Sequence, residues 1–221
     1  MERALVIGAS GGIGQALVLA LRGKGSQVVG LSRSNDGLDV TDEASIVRIL
    51  ASVEGQFDTV IVATGALEIG AFKPEKSLRA LDPAALSAQF ALNAIGPALV
   101  LKHSLLLLPK DRPARFAALS ARVASIGDNA LGGWYSYRAA KAALNQLIHS
   151  AAIEVARSHP LTTVALLHPG TVATGFGAAY IGAHPTVTPD VAAANVLAVL
   201  GGLNPTDTGG FFDWAGKRIA W

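Results

Sequence analysis

The turn that ends the first apolar run constrains this chain more than any other feature of its sequence. Ala4 to Ile7 is short and continuously apolar, and Gly8-Ala9-Ser10-Gly11-Gly12-Ile13-Gly14 follows it directly. A helical pattern, Gln15-Ala16-Leu17-Val18-Leu19-Ala20, begins at once after the last glycine. A strand that runs through glycines into a helix presents unpaired N–H groups and the positive end of a helix dipole, and the glycines let backbone approach a phosphate closely. Gly8, Ser10, Gly11, Gly12, Ile13 and Gly14 are therefore candidate ligands of a dinucleotide pyrophosphate. The spacing is G-x-x-x-G-x-G rather than G-x-G-x-x-G, and no G-K-[S/T] follows, which excludes a P-loop.

Further continuous runs, Gln27 to Leu31, Thr59 to Ala63, Arg115 to Leu119 and Thr163 to Leu167, read as strands. Apolar runs without alternation belong to strands covered on both faces. The segments between them, Gly12 to Arg22, Asp42 to Val53, Pro83 to Leu108, Ser136 to Ser158 and Pro189 to Leu200, are long enough to be helical crossovers. The sequence thus predicts an α/β fold, a Rossmann-type doubly wound parallel sheet with helices on both faces, as a single domain over residues 1–221. The aromatic end, Phe211-Phe212-Asp213-Trp214 to Trp221, is expected to add a last strand and a hairpin. With 51% apolar and only 15% charged residues, the chain can bury a large core and is not disordered.

The net charge of +2 leaves no large basic field, so no nucleic acid and no membrane surface is expected as partner. The apolar stretch around Leu99 to Leu108 is interrupted by Lys102 and His103 and falls short of the ~20 residues that a bilayer requires. Zero cysteines remove disulfides and thiolate metal sites, and suit a reducing, cytoplasmic location. His103, His149, His159, His168 and His184 show no metal-ligand spacing, so no metal is expected.

The end of the second strand reads Leu31-Ser32-Arg33-Ser34. An NAD site places an acid there for the ribose 2′-OH. This turn offers no carboxylate, while Ser32, Arg33 and Ser34 suit a 2′-phosphate through charge-assisted hydrogen bonds, so NADP (NADPH) is favoured over NAD. In Tyr137-Arg138-Ala139-Ala140-Lys141 the phenol and the ammonium, at i and i+4, share one helix face. A nearby cation favours phenolate, so the pair is expected to make Tyr137 an acid or base near neutrality.

These features, with Asn93 in the long central helix and His168-Pro169-Gly170 after a late strand, occur in the order and spacing of the short-chain dehydrogenase/reductase (SDR) family, which the whole chain resembles. Ser125-Ile126-Gly127-Asp128-Asn129, Gly132-Gly133-Trp134-Tyr135-Ser136-Tyr137 and Asn93-Ala94-Ile95-Gly96-Pro97 look most like its C-factor-like branch. The resemblance implies that Tyr137 donates the proton to a carbonyl being reduced, or acts as base in alcohol oxidation. Lys141 would bind the nicotinamide ribose, and Asn93 would hold a helix irregularity and a water. Asp39 and Val40 would contact the adenine, though Asp39 also reads as a helix cap. Ala63, Thr64 and Gly65 would line the cofactor. Pro169, Gly170 and Val172 would flank the nicotinamide, with Thr174 near its carboxamide. Trp134, Phe176, Tyr180 and Ile181 would lie at the substrate cleft or its flap, about Thr171 to Thr188, with core packing as the alternative.

Two departures from the family's pattern stand out. Val62-Ala63-Thr64-Gly65 replaces Asn-Asn-Ala-Gly, and Ala121 takes the place of the carbonyl-polarising serine, with Ser120 and Ser125 as candidate replacements, spacing favouring Ser125. The expected activity is NADPH-dependent reduction of a small carbonyl compound, an aldehyde or ketone. A dinucleotide-binding regulatory or signalling protein with vestigial redox chemistry is the alternative that Ala121 keeps open. Apolar residues on more than one face of Pro83 to Leu108 and of Ser136 to Ala156, with alanines that permit close approach, predict a homodimer or homotetramer.

Overall fold

The computed structural model describes residues 2–177, 179–180 and 185–221. Six strands, β1 (Arg3–Ile7), β2 (Gln27–Leu31), β3 (Thr59–Val62), β4 (Ala114–Leu119), β5 (Thr162–Leu167) and β6 (Gly210–Phe212), form one sheet in the order β2-β1-β3-β4-β5-β6. Every neighbouring pair is parallel, as the continuous apolar runs require. The last strand and its hairpin are present, with Phe212 bridged antiparallel to Arg218.

Successive strand residues face opposite sides of the sheet and so feed two cores. On one side Ala4, Val6, Ile61 and Ala117 meet Leu17 and Leu21 of α1 (Gly12–Gly23) and Val196 and Leu200 of α7 (Pro189–Gly202). On the other, Leu5, Ile7, Val62 and Phe116 meet α3 (Glu43–Ala51), α5 (Gly96–Ser104) and α6 (Tyr135–Ser158). A short helix, α2 (Arg33–Asp36), follows β2, and α4 (Pro83–Phe90) precedes α5.

The helix expected over Pro83 to Leu108 is not uniform: Ala91–Ile95, between α4 and α5, is a π-helical turn. The cause lies in Gly96-Pro97. A proline in a helix has no N–H to give and its ring crowds the carbonyl four residues back, here that of Asn93. Gly96 lets this widened turn press on the chain beside it, since a Cβ there would lie 2.7 Å from the Val40 carbonyl oxygen. Helical structure nevertheless continues end to end from Pro83 to Leu107, 25 residues, so the expectation that no apolar segment reaches membrane-spanning length is corrected. One side of this run, including Ala94, Val100 and Leu101, is buried in the core.

The chain enters the sheet at β1, steps outward to β2, then crosses back over β1 to β3. Strand order therefore reverses between β1 and β3, and the crevice beyond their carboxyl ends is where doubly wound sheets bind ligands. Gly8 and Ala63 stand at those two ends.

Candidate active site

Packing alone requires two glycines in the first turn. Gly8 has φ +88°, and a Cβ on it would lie 2.9 Å from the Ala63 carbonyl; a Cβ on Gly14 would lie 2.1 Å from the Gly8 oxygen. The amides of Gly8 and Ala9 both donate to the Leu31 carbonyl, at 2.8 and 3.0 Å, and tie the turn to β2. Gly11 caps α1 without a side chain, no acidic residue occupies the first turn, and the first-turn amides of Gly12, Ile13 and Gly14 have no partner within the helix. Ser10, Gly11 and Gly12 are exposed. Close by at the end of β3, the Thr64 hydroxyl is buried without a partner among the described residues. Open donors, a glycine cradle and an orphaned hydroxyl fit a bound dinucleotide.

At the end of β2 the structure corrects the sequence reading, because a carboxylate is available there. α2 brings Asp36 back onto Ser32, whose amide and hydroxyl donate to its Oδ2 at 2.7 and 3.2 Å. The left-handed Gly37 (φ 69°) ends this one-turn helix. Ser34 Oγ lies 3.4 Å from Ser32 Oγ, and Arg33 is exposed. Asp39 accepts the Thr41 hydroxyl at 2.7 Å and the Thr41 amide at 2.9 Å. Those bonds, aided by the charge of Arg33, hold its carboxyl below the usual range. Val40 is buried against Gly96. The cap of α3 is Asp42, not Asp39.

Beyond β3, Gly65 (φ +152°) sits between two of the expected catalytic residues: a Cβ on it would lie 2.8 Å from Asn93 Oδ1 and 3.6 Å from Lys141 Nζ. Asn93, fully buried in the π-turn, binds the Ala66 backbone through both ends of its amide. Its Nδ2 also donates to Gln89 Oε1 at 2.6 Å, and Gln89 Nε2 donates to the Leu67 carbonyl at 2.8 Å. The helix irregularity expected at Asn93 is present, and its side chain braces the loop that follows β3.

Tyr137 is the third residue of α6 and Lys141 lies one turn on; they are 5% and 3% exposed. Lys141 Nζ donates to the Leu119 carbonyl at 3.0 Å, and burial pushes its ammonium down to about 8. Against the expected acid or base near neutrality, burial pushes the Tyr137 phenol well above its ordinary value. A protonated phenol is the form that a proton donor needs. Four aromatic rings gather here in three edge-on contacts. Trp134 lies 6.3 Å from Tyr137 and 5.8 Å from Tyr180, and Phe176 lies 6.0 Å from Tyr137. Tyr180 also donates to Glu68.

Neither candidate serine hydroxyl is idle. Ser120 Oγ donates to Asn145 Oδ1 at 2.7 Å, and Ser125 Oγ accepts the Asp128 amide at 3.1 Å and lines a depression with Arg138, Ala139 and Ala142. After β5, the left-handed Gly170 (φ +87°) packs on the Trp214 indole, 3.3 Å from where a Cβ would be. Burial, with the Arg122 charge adding, pushes the neighbouring His168 down to about 4. Pro169 follows it, and Val172 bridges to Val187, so that Ala173 donates to the Val187 carbonyl at 2.9 Å. Thr174 rests on the first turn of α1, its Cγ2 2.7 Å from a Cβ placed on Gly12. Ile181 and His184 lie outside the described residues.

Three participants escaped the sequence reading. Asp36 sits in an ordinary polar turn, Gln89 looks like one more helix residue, and Glu75, in Lys73-Pro74-Glu75-Lys76, looks like surface charge. Glu75 is buried and bound to the start of α6. Only Gln89 left a signal, four residues before Asn93 and so on the same helix face.

A family model described as short chain dehydrogenase matches residues 2–181. The chain is 28% identical to 1-hydroxy-2-glutathionyl-2-methyl-3-butene dehydrogenase of Rhodococcus sp. (strain AD45), with 100% of both chains covered. It is 36% identical to C-signal of Myxococcus xanthus over 141 residues, 64% of this chain and 81% of that one. Its structure matches an NADPH-bound carbonyl reductase from chicken fatty liver with TM-score 0.85 and 25% identity, covering 100% of this chain and 94% of that one. It shares the fold of the carbonyl reductase Sniffer of D. melanogaster, with TM-score 0.83, 20% identity and 100% of both chains covered.

Proposed function

This chain belongs to the short chain dehydrogenase family, and from that premise we propose that it is an NADPH-dependent reductase of an aldehyde or ketone, with Tyr137 as proton donor. One observation carries the reading: Asn93 and Lys141 converge on Gly65, with the buried Tyr137 one turn before Lys141, at the strand ends that also carry the open first turn of α1. When bound, the dinucleotide supplies the hydride. Gly8 to Gly14 would hold its pyrophosphate, Ser32, Arg33 and Ser34 a 2′-phosphate, and Asp39 and Val40 its adenine. Ala63, Thr64 and Gly65 would line the cofactor, and Pro169, Gly170 and Val172 would flank its nicotinamide, with Thr174 near its carboxamide.

Tyr137 keeps its proton until a carbonyl oxygen gains negative charge and takes it. Lys141 supplies positive charge beside that transfer, while its bond to Leu119 fixes the ammonium. Phe176 and Trp134 exclude water from the phenol. The reading extends to assembly: Ile95, Leu147 and Ile153 are exposed apolar side chains on the π-turn and α6 and suit a contact between copies of one domain, a homodimer or homotetramer. The absence of cysteine suits the reducing cytoplasm.

The test follows NADPH absorbance with purified protein across aldehydes, ketones and diketones. Turnover is expected for the unmutated protein, and Tyr137→Phe should remove nearly all of it while leaving NADPH binding intact. Full activity in Tyr137→Phe ends the tyrosine mechanism. Tight dinucleotide binding with no turnover on any carbonyl favours a dinucleotide-binding regulator instead, the reading to which Ala121 points.

A further inference from the structure

Glu75 is a buried carboxylate, 5% exposed, that the chemistry above leaves without a part. It forms no ion pair among the described residues. Among the described residues its bonds all go to the start of α6. Oε2 accepts the Ser136 amide at 3.2 Å, Oε1 accepts the Ser136 hydroxyl, and the Glu75 carbonyl accepts the Trp134 amide at 2.6 Å. A helix usually finds such a cap in its own N-cap side chain. Here the N-cap is Trp134, in the left-handed region at φ 51°, and its side chain caps nothing. The cap comes instead from a residue 61 positions earlier.

The first turn of a helix is the part that frays, and Tyr137 lies in it. We propose that Glu75 is a positioning residue, which caps α6 from outside and thereby holds the Tyr137 hydroxyl where a carbonyl oxygen can take its proton. This rests on the reductase reading. Lys141 lies a turn deeper and the glycine turn lies on α1, so cofactor binding is independent of this cap. A carboxylate that merely stabilised the fold would weaken cofactor binding and turnover together.

The test compares Glu75→Ala and Glu75→Gln with the unmutated protein, using kcat, KM, NADPH affinity and amide hydrogen exchange. In Glu75→Ala, kcat should fall about 10- to 100-fold, the effect of misplacing a reacting group by about an ångström, with NADPH affinity within about twofold. Glu75→Gln retains an oxygen for the Ser136 amide and can donate to the Ser136 hydroxyl, so its kcat should recover to about two- to fivefold below normal. Exchange at the Ser136 and Arg138 amides, which donate to Glu75 and to the Trp134 carbonyl, should quicken about tenfold or more in Glu75→Ala, with Leu144 to Ile148 unchanged. Unchanged kcat, or parallel losses of kcat, NADPH affinity and protection throughout α6, overturns the proposal. If Glu75→Ala does not fold, Glu75→Gln carries the same test, and normal kcat with normal first-turn exchange overturns it. If the unmutated protein reduces no carbonyl, the reductase reading fails alone, while first-turn exchange still decides whether Glu75 holds the helix start.

Discussion

The side-chain amide of Asn93 grips the backbone of Ala66 from both sides, its Oδ1 accepting the Ala66 N–H at 3.1 Å and its Nδ2 donating to the Ala66 carbonyl at 2.9 Å. Replacing Asn93 by Leu leaves two backbone groups and Gln89 Oε1 without a partner. At about 1–3 kcal/mol for each unsatisfied buried group, less what water recovers, the variant should lose about 2–4 kcal/mol of stability. Urea unfolding checks this, and a loss below about 1 kcal/mol would show that the loop is held by something else.

Gly14 and Gly23 occupy the two ends of α1 and should respond oppositely to alanine. A Cβ on Gly14 meets the Gly8 oxygen at 2.1 Å, so Gly14→Ala must displace the turn and abolish dinucleotide binding. A Cβ on Gly23 meets nothing within 4 Å, and Gly23→Ala should stabilise the protein by about 0.5–1 kcal/mol. Calorimetry with and without NADPH reads both effects. Normal NADPH binding in Gly14→Ala would contradict the geometry.

Cofactor choice turns on Arg33 against Asp36. If the guanidinium holds a 2′-phosphate, Arg33→Ala should erase a preference for NADPH worth about 1.5–3 kcal/mol. Asp36→Asn should increase that preference, because the Asp36 carboxylate lies against Ser32 and would repel the phosphate. Equal affinities of the unmutated protein for NADH and NADPH, by titration calorimetry, would sink the assignment.

The rate should depend on pH through Lys141. Burial lowers this ammonium to about 8 and raises the Tyr137 phenol, so of these two groups it is the lysine that titrates between neutrality and pH 9. On the proposed mechanism reduction needs the charged lysine, and kcat/KM reports the free enzyme. It should hold up to about pH 7.5 and decline as pH rises through about 8. A flat profile from pH 7 to 9.5 would remove Lys141 from the chemistry.

Ala121→Ser should keep or raise turnover, since Ser120 Oγ is bound to Asn145 and Ser125 Oγ to the Asp128 amide. One added donor to the carbonyl oxygen is worth at most about 10²- to 10³-fold in rate. A large fall in kcat, with the fold intact by circular dichroism, would show that position 121 does not face the carbonyl.

Fold class and the core of the site were legible because their signals are local. A continuous apolar strand, a glycine turn and the helix that grows out of those glycines announce a doubly wound sheet within twenty residues of the N-terminus. Tyr137 and Lys141 share a face through helix geometry alone, whereas the widened turn at Asn93 was expected only from the family resemblance. Asp36 escaped notice although it is only four residues from Ser32, because the short α2 and the left-handed Gly37 decide where its side chain goes.

By itself, then, the amino-acid sequence determined the parallel sheet, the dinucleotide turn and which side chains ride together on α6, since each follows from backbone periodicity over a few residues. Tertiary structure alone decided that Glu75 caps α6 from 61 residues away, that Asn93 braces Ala66 across 27, and that burial raises the Tyr137 phenol. Those outcomes depend on which distant groups meet once water is excluded, because desolvation acts through every neighbour in space and not through neighbours in the chain.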